Sequence, residues 1–484
     1  MREKNRPDGV AGSPKPEAGS APATALPLEP HDGLAPVTGE LAAARLAVDP
    51  LPRTIAQVAL PAVASSLLMT LFTTVDTYWV GTRVGPEGLA AVSTAVFWVW
   101  MLVSVAEMVS VGLTAVAARR YGERRSGAAA RIAGDALVFT LVLGVVLAVV
   151  GLLALDQLFA MMRTPAHVTA LGRAYLGTYL LGTPLIFGYF AIDAAFRAAG
   201  DTRTPFLILL VSVAATLVID PMLILGLYGA PKLGIAGAAI ATVLTRGTAF
   251  LIGLQLAIAR GHLRIVRPSS ASLPSIAAVV RVGLPTAATG VVFSLIYVAI
   301  TRTTTQFGTP ALAALGIGHR VESWLYMIGV GFAAATAAIV GQNLGAGRPD
   351  RAARAGWLAT AYCTLLGVVV FALEIAVPEW FASRFTNDPA TIAEGARYLR
   401  IAAIAQLGVC AEVVLEGALG GAGHTAPPML TSTALTLARV PLAAWAASRW
   451  GSAGIWWVIS LTALGRALAM VALWWSGGWK RRSV

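Results

Sequence analysis

VALPAVASSLLMTLFTTVDTYWVG, residues 58–81, runs for twenty-four residues with one charge, Asp76, and one proline, Pro61. A helix needs about 20 apolar residues to cross a bilayer, so the stretch reads as a membrane span with one expensive group inside it. Working outward, similar spans are expected near 55–80, 89–118, 128–155, 168–198, 204–228, 233–258, 275–307, 311–341, 351–377, 391–420, 425–449 and 452–475. Barrel strands would be half as long and would alternate in polarity, and these do neither. The composition agrees: 57% of residues are hydrophobic and 12% charged, with a mean hydropathy of +0.73, whereas soluble proteins carry about 25% charged residues. Soluble enzymes, nucleic-acid binders and secreted disulfide scaffolds are excluded. The expected fold class is an all-α membrane protein of 12 transmembrane helices.

The net charge of +12 sits in short runs between apolar segments, where topology places it, so no nucleic-acid partner follows. Lys and Arg in the short loops set orientation. Seventeen follow even-numbered spans, counting the C-terminal Lys480, Arg481 and Arg482, against eight after odd-numbered ones. Both termini are therefore expected in the cytoplasm, with the chain multi-pass in the plasma (inner) membrane. Residues 1–50 hold eight prolines and no apolar run. A stretch of that kind buries too little to offset its ordering entropy, so it reads as a disordered cytoplasmic tail. Cys363 and Cys410 both fall in apolar stretches and read as small buried hydrophobes.

The chain also repeats itself. PEGLAAVS (86–93) matches TPALAALG (309–316), YGERRSGAAAR (121–131) matches LGAGRPDRAAR (344–354), and GDTRTP (200–205) matches GHTAPP (423–428), each 223 residues on. Leu60-Pro61 recurs at Leu284-Pro285, and Thr216–Pro221 aligns with Thr436–Pro441 at an offset of 220. Two six-helix bundles are expected, 51–262 and 263–484, entering from the same side and related by a pseudo-twofold along the membrane normal. Parallel repeats of this kind are a transporter architecture.

The repeat offers a test of the acids. An ionisable group mid-helix in lipid costs roughly 2.5–3.5 kcal/mol on insertion scales. An acid required by the architecture should appear in both halves, whereas one required by ion coupling can stand alone. Asp76 aligns with Ala299 and Asp220 with Val440, so these two lead. Ser66, Thr70, Thr73 and Thr77 give span 1 a polar stripe, Thr216 lies i,i+4 from Asp220, and Thr242 and Thr245 make span 6 polar. Pro221 has no N–H, so the Leu217 carbonyl loses its helical donor. Oxygen ligands of this kind suit H⁺ or Na⁺ as the coupling ion; no metal site and no cofactor follow. Glu107 also passes the asymmetry test, facing Val330. Asp193 and Glu416 are counterparts at 223, which suggests a shared structural role. Glu322 and Glu412 are candidates for a second-half site, with Arg302, Arg320 and Arg439 as possible neutralisers. Trp98, Trp100, Tyr189, Trp324 and Tyr326 read as packing or interfacial residues, with stacking on flat cationic compounds as the other reading.

The stretch 58–81, GLAAVS, FRAAGDTRTP (196–205), LGIAGAAIAT (233–242) and VGQNLGAGR (340–348) together resemble the multidrug and toxic compound extrusion (MATE) transporters, in their DinF-like branch. The resemblance covers nearly everything after residue 50. It implies cation-coupled export of organic compounds through a cleft between two six-helix lobes, by a chain taken as a monomer whose partners are small organic substrates and membrane lipid. It puts Asp76 at the family's span-1 aspartate in VDT, Asp220 at the span-5 acid of the DP motif, and Thr242 at the end of GAAIAT. Thr216 stands where the branch usually has Asn. Other branches place coupling or drug-binding acids in spans 8 and 10, where Glu322 and Glu412 lie. The expected mechanism is antiport with span 1 rebending near Pro61. The rival readings are a lipid-linked saccharide flippase, which would want a ring of cations, and an integral-membrane enzyme, for which no catalytic cluster is visible. No GxxxxGK[ST] occurs to support nucleotide-driven pumping.

Overall fold

A computed structural model describes residues 46–83, 86–161, 166–266 and 272–481; the side chains of 73–78, 80–83, 86–90, 93–94, 96–97, 161 and 166–167 lie outside the description. The expected tail, residues 1–50, falls outside it up to residue 45. Twelve long helices are present among the described residues: α1 (Leu51–Arg83), α2 (Pro86–Gly122), α3 (Ser126–Leu153), α4 (Ala166–Ala198), α5 (Arg203–Leu225), α6 (Ile235–Ala259), α7 (Ser272–Thr304), α8 (Gly308–Gly345), α9 (Pro349–Ala376), α10 (Pro389–Gly421), α11 (Ala426–Trp450) and α12 (Ser452–Trp475). Helices satisfy every backbone group within one segment, which the bilayer interior demands.

The helices agree with the spans expected from the sequence, with one instructive weak point. Ten stretches are long and apolar enough to span; Ser272–Gly345 contains both α7 and α8, and α11 is not among them. The reason is composition. Helix α11 carries Pro427, Pro428, Thr431, Ser432, Thr433, Thr436 and Arg439, and packs its polar side on α12, where Arg439 Nε donates to Thr462 Oγ1 at 2.9 Å.

Packing repeats with the sequence. In the first half α2, α3 and α6 pack on α4, and α5 on both α1 and α6; in the second, α8, α9 and α12 pack on α10, and α11 on both α7 and α12. The halves meet where α1 and α2 cross α8 and α7. Glycine makes those crossings possible, because small residues let helix backbones touch. A Cβ on Gly283 of α7 would lie 1.7 Å from the Met108 carbonyl oxygen of α2, and one on Gly331 of α8 would lie 2.4 Å from Val63 Cα of α1.

Both halves also carry a first helix with an internal proline, held the same way. Pro61 lies inside α1 and Pro285 inside α7. One turn on, Ser65 Oγ donates to the Pro61 carbonyl and Thr289 Oγ1 to the Pro285 carbonyl, each at 3.0 Å. From the neighbouring helix, Thr202 Oγ1 donates to the Val58 carbonyl at 2.8 Å, and Thr425 Oγ1 to the Val282 carbonyl at 2.7 Å. These threonines are the third residues of GDTRTP and GHTAPP, so the motif pins each helix three residues before its proline.

Residues 46–49 lie against the second half, where Arg348 Nη1 donates to the Ala47 carbonyl at 2.7 Å and Arg351 reaches the carbonyls of Leu46 and Asp49.

Candidate functional site

In the first half, α5 and α6 face each other through hydroxyls. Thr216 Oγ1 donates to the Ser212 carbonyl at 3.0 Å and lies 3.3 Å from Thr245 Oγ1. Thr245 Oγ1 in turn reaches the carbonyls of Ala241 at 2.9 Å and Thr242 at 3.2 Å, and Ser212 Oγ donates to the Thr245 carbonyl at 3.3 Å. One turn beyond Thr216 sits Asp220, with 0% of its surface exposed. Thr216 and Thr242 are buried as well. Asp220, Thr216 and Thr242 therefore gather on the buried side of the α5–α6 pair. Leu217, whose carbonyl Pro221 frees, turns its side chain outward and is half-exposed. Asp76 lies on α1, but its side chain is outside the described residues.

A second group forms around α4. Asp193 pairs with Arg197 at 2.9 Å, and Arg197 Nη2 also donates to Ser110 Oγ of α2 at 2.6 Å. The i,i+4 pair expected at a helix end is therefore part of a link between α4 and α2. Glu107 is exposed at mid-helix, in the field of Arg197. Tyr326 of α8 lies within electrostatic range of Glu107, Glu412, Glu416 and Arg466. Helices from both halves thus bring three carboxylates into range of one exposed tyrosine, with Arg466 beside Glu412 and Arg197 in the field of Glu107.

In the second half, Glu412 pairs with Arg466 of α12 at 3.1 Å, and Glu416 lies one turn along α10 from it. Arg439, one of the neutralisers expected from the sequence, lies in electrostatic range of Glu322 and Glu412, while the direct ion pair to Glu412 is made by Arg466. Glu322 accepts from Tyr398 Oη at 3.2 Å and has His319 Nδ1 at 4.0 Å. Glu374 of α9, which the sequence reading passed over, is buried and accepts from Gln406 Nε2 of α10 at 3.2 Å. It faces Gly151 at offset 223, so the asymmetry test would have found it. Cys363 and Cys410 are free and buried in the same α9–α10 packing.

The other residue missed is Arg246 of α6, 4% exposed. Its Nη2 donates to Met69 Sδ of α1 at 2.8 Å, and its guanidinium carbon sits 4.7 Å from the Phe72 ring centre and 5.4 Å from that of Tyr189. Tyr189 is therefore a buried cation-facing ring, while Trp100, Trp324 and Tyr326 are exposed. Arg246 stands in the chain as a cation in the middle of an apolar span.

The MatE family model matches residues 61–222 and again 285–445. A probable multidrug resistance protein NorM of Thermotoga maritima is 29% identical over 442 residues, which are 88% of this chain and 93% of that protein. The probable multidrug resistance protein YoeA of Bacillus subtilis is 28% identical over 346 residues, 70% of this chain and 75% of its own. Among solved structures, a MOP superfamily transporter from Pyrococcus furiosus superposes with a TM-score of 0.83 at 21% identity, covering 91% of this chain and 99% of that one. The double match at the repeat spacing and the shared fold agree with the internal symmetry of the helices.

Proposed function

The chain belongs to the MatE family, and from that premise we propose that it is a multi-pass membrane transporter that exports organic compounds in exchange for H⁺ or Na⁺. The observation that carries the coupling role is Asp220: a carboxylate buried completely in a membrane helix, beside a hydroxyl network, at a position where the other half has Val440. Burial of that kind opposes charge, and a group that must trade its proton or cation to change state is suited to coupling. Thr216 and Thr242 hold the α5–α6 geometry around it, and Asp76 serves with it from α1.

Exchange proceeds by rocking of the lobes 51–262 and 263–484 about the glycine crossings. With the cleft open outward, the first-half acids take up H⁺ or Na⁺ and substrate leaves; α1 rebends at Pro61 as the charge is removed. Release of the cation to the cytoplasm restores affinity for the next substrate. Glu107, Glu412 and Glu416, around Tyr326, favour compounds carrying positive charge, whereas a saccharide-pyrophosphate flippase would want the opposite sign there. Glu322 and Asp193 support the cleft through their bonds to Tyr398 and Arg197. A potential of 100 mV supplies about 2.3 kcal/mol per charge and one pH unit about 1.4 kcal/mol, enough for roughly a hundredfold accumulation or more. The basic loops favour the inner membrane with cytoplasmic termini, and the chain acts as a monomer.

The test is uptake of ethidium into proteoliposomes under an imposed H⁺ gradient and, separately, a Na⁺ gradient. One of the two must drive accumulation. If neither does while the protein is folded and correctly reconstituted, the antiport reading fails.

A further inference from the structure

Two helical segments of the first half end in carbonyls that side chains of the second half cap. A helix leaves its last four carbonyls without intrahelical donors. At the end of α4, the carbonyls of Ala195, Phe196 and Arg197 accept from the N–H groups of Ala199, Asp201 and Gly200 at 3.3, 3.0 and 2.9 Å. The next carbonyl, that of Ala198, accepts from Gln342 Nε2 of α8 at 2.7 Å, and Gln342 is 0% exposed. The second case is the helical turn 46–48 that leads into α1. Arg348 Nη1 donates to the Ala47 carbonyl at 2.7 Å, and Arg351 Nη2 reaches the carbonyls of Leu46 and Asp49. Cations at the C-terminal end of a helix satisfy its last carbonyls and suit its dipole.

Both caps lie where the halves close on each other at the end that carries the basic loops. A Cβ on Gly122 of α2 would lie 2.0 Å from the Gln342 carbonyl oxygen, and one on Gly345 of α8 would lie 2.0 Å from that of Arg119. Leu46 is buried in one cluster with Ile339 of α8 and Ala355 of α9. It also lies over Gly200, where a Cβ would come within 2.5 Å of Leu46 Cδ1. Residues 46–49 therefore cross from the α4–α5 turn of the first half to the start of α9 in the second.

The linker between the halves makes the matching crossing. The Arg264 N–H donates to the Ala130 carbonyl of α3 at 2.9 Å, and a Cβ on Gly134 of α3 would lie 2.1 Å from the Arg264 carbonyl oxygen. Helices α3 and α9 are repeat counterparts, beginning at Ser126 and Pro349. Each half is thus entered through a segment that lies on the third helix of the other half. The linker is bonded covalently to both halves. Residues 46–49 are continuous with α1 alone, so only Leu46 and the arginine hydrogen bonds hold them to the second half. One crossing is permanent and the other can let go.

Resting on the transport reading above, we propose that residues 46–49 are a releasable strap that, with the Gln342 cap, holds this end of the protein shut. It is the cytoplasmic end on that reading. Rocking that opens it parts α4 from α8 and the lead-in of α1 from α9, so both caps break together. Water then takes over the freed carbonyls and guanidinium groups, which makes the release reversible. The strap sets how often this end opens.

The experiment places nitroxide labels at Ala128→Cys of α3 and Arg354→Cys of α9, both exposed positions, in the full chain in lipid nanodiscs. Double electron–electron resonance reads the distance between them. Cys363 and Cys410 are buried, and the chain without the added cysteines controls for their labelling. Arg348→Gln with Arg351→Gln should raise the ratio of long to short distances at least about tenfold. Gln342→Leu should raise it less. Deleting residues 2–45 should leave the wild-type distribution, whereas deleting residues 2–49 should reproduce the double substitution. An unchanged distribution in the double substitution and the 2–49 deletion overturns the proposal, as does the full effect from deleting 2–45 alone. A long-distance population that appears only with loss of a cooperative thermal melt reports unfolding and also counts against the strap. The measurement needs neither substrate nor ion gradient, so a failed ethidium test strikes the antiport reading and leaves this result to stand or fall by itself.

Discussion

The two halves share a skeleton and differ in their charges. Each has a first helix with an internal proline, pinned by a threonine of the GDTRTP or GHTAPP motif, at 2.8 Å in one and 2.7 Å in the other. Each has the same helix-on-helix pattern. Yet the first half has Asp220 where the second has Val440, and Arg246 beside Tyr189 where the second has Arg466 paired to Glu412. On the proposed coupling role of Asp220, what both halves keep is mechanical and what one alone keeps is chemical. A duplicated scaffold makes that separation readable, because each half serves as the control for the other.

The sharpest way to break the comparison is to remove one member of each arginine environment. Glu412→Gln removes the ion-pair partner of the partly buried Arg466 and should destabilise the protein by about 1–3 kcal/mol, read by thermal unfolding in detergent. Arg246→Met removes a cation with no hydrogen-bonded carboxylate among the described residues and should be neutral or stabilising by about 1 kcal/mol. Equal losses from both would mean that Arg246 is compensated after all.

Next come the crossings between the halves. Gly283→Ala must push a methyl into the Met108 carbonyl and should cost about 1–3 kcal/mol, seen as reduced yield and melting temperature. Gly316→Ala, where a Cβ meets nothing within 4 Å, should change stability by under about 0.5 kcal/mol. A harmless Gly283→Ala would remove the close backbone approach from the interface.

The linker joining the halves has no repeat, and it carries a pH-sensitive group. Burial pushes His262 down to about 4, against the opposing pull of Asp201, and its ring meets Phe196 and Tyr121. Because the folded value lies below the unfolded one of about 6.5, the unfolded chain binds more protons between them. Stability is complete above about pH 6.5 and falls as the pH drops toward 4, by about 2 kcal/mol at pH 5. Melting temperatures of wild type and His262→Phe between pH 7 and 5 should converge in that window; parallel curves would contradict the buried neutral histidine.

The smallest effects should be the most symmetric. Thr202→Val and Thr425→Val each remove one hydrogen bond of about 1 kcal/mol, and their melting temperatures should fall by the same amount. A large inequality would show that the two pins are not equivalent.

Most of the scaffold was legible in the chain itself. The apolar lengths locate the helices, and the offsets of 223 and 220 pair them, even for α11, whose threonines and prolines make it too polar to stand out alone. The buried state of Asp220 and its Thr216 neighbour followed from i,i+4 spacing on one helix. Partners on other helices did not follow. Arg466 pairs with Glu412 across α12 and α10, a partnership that no local period encodes. Arg246 and Glu374 were visible as charges in apolar runs. Only their surroundings, two rings and a thioether for one and a glutamine for the other, distinguish them from surface residues.

The role of Asp220 is tested most directly by separating ion-driven accumulation from simple substrate exchange in one set of vesicles. Asp220→Asn should exchange labelled ethidium across the membrane at a rate near wild type, yet build no gradient of it under either H⁺ or Na⁺. Accumulation by Asp220→Asn equal to wild type would mean that the buried carboxylate takes no part in coupling.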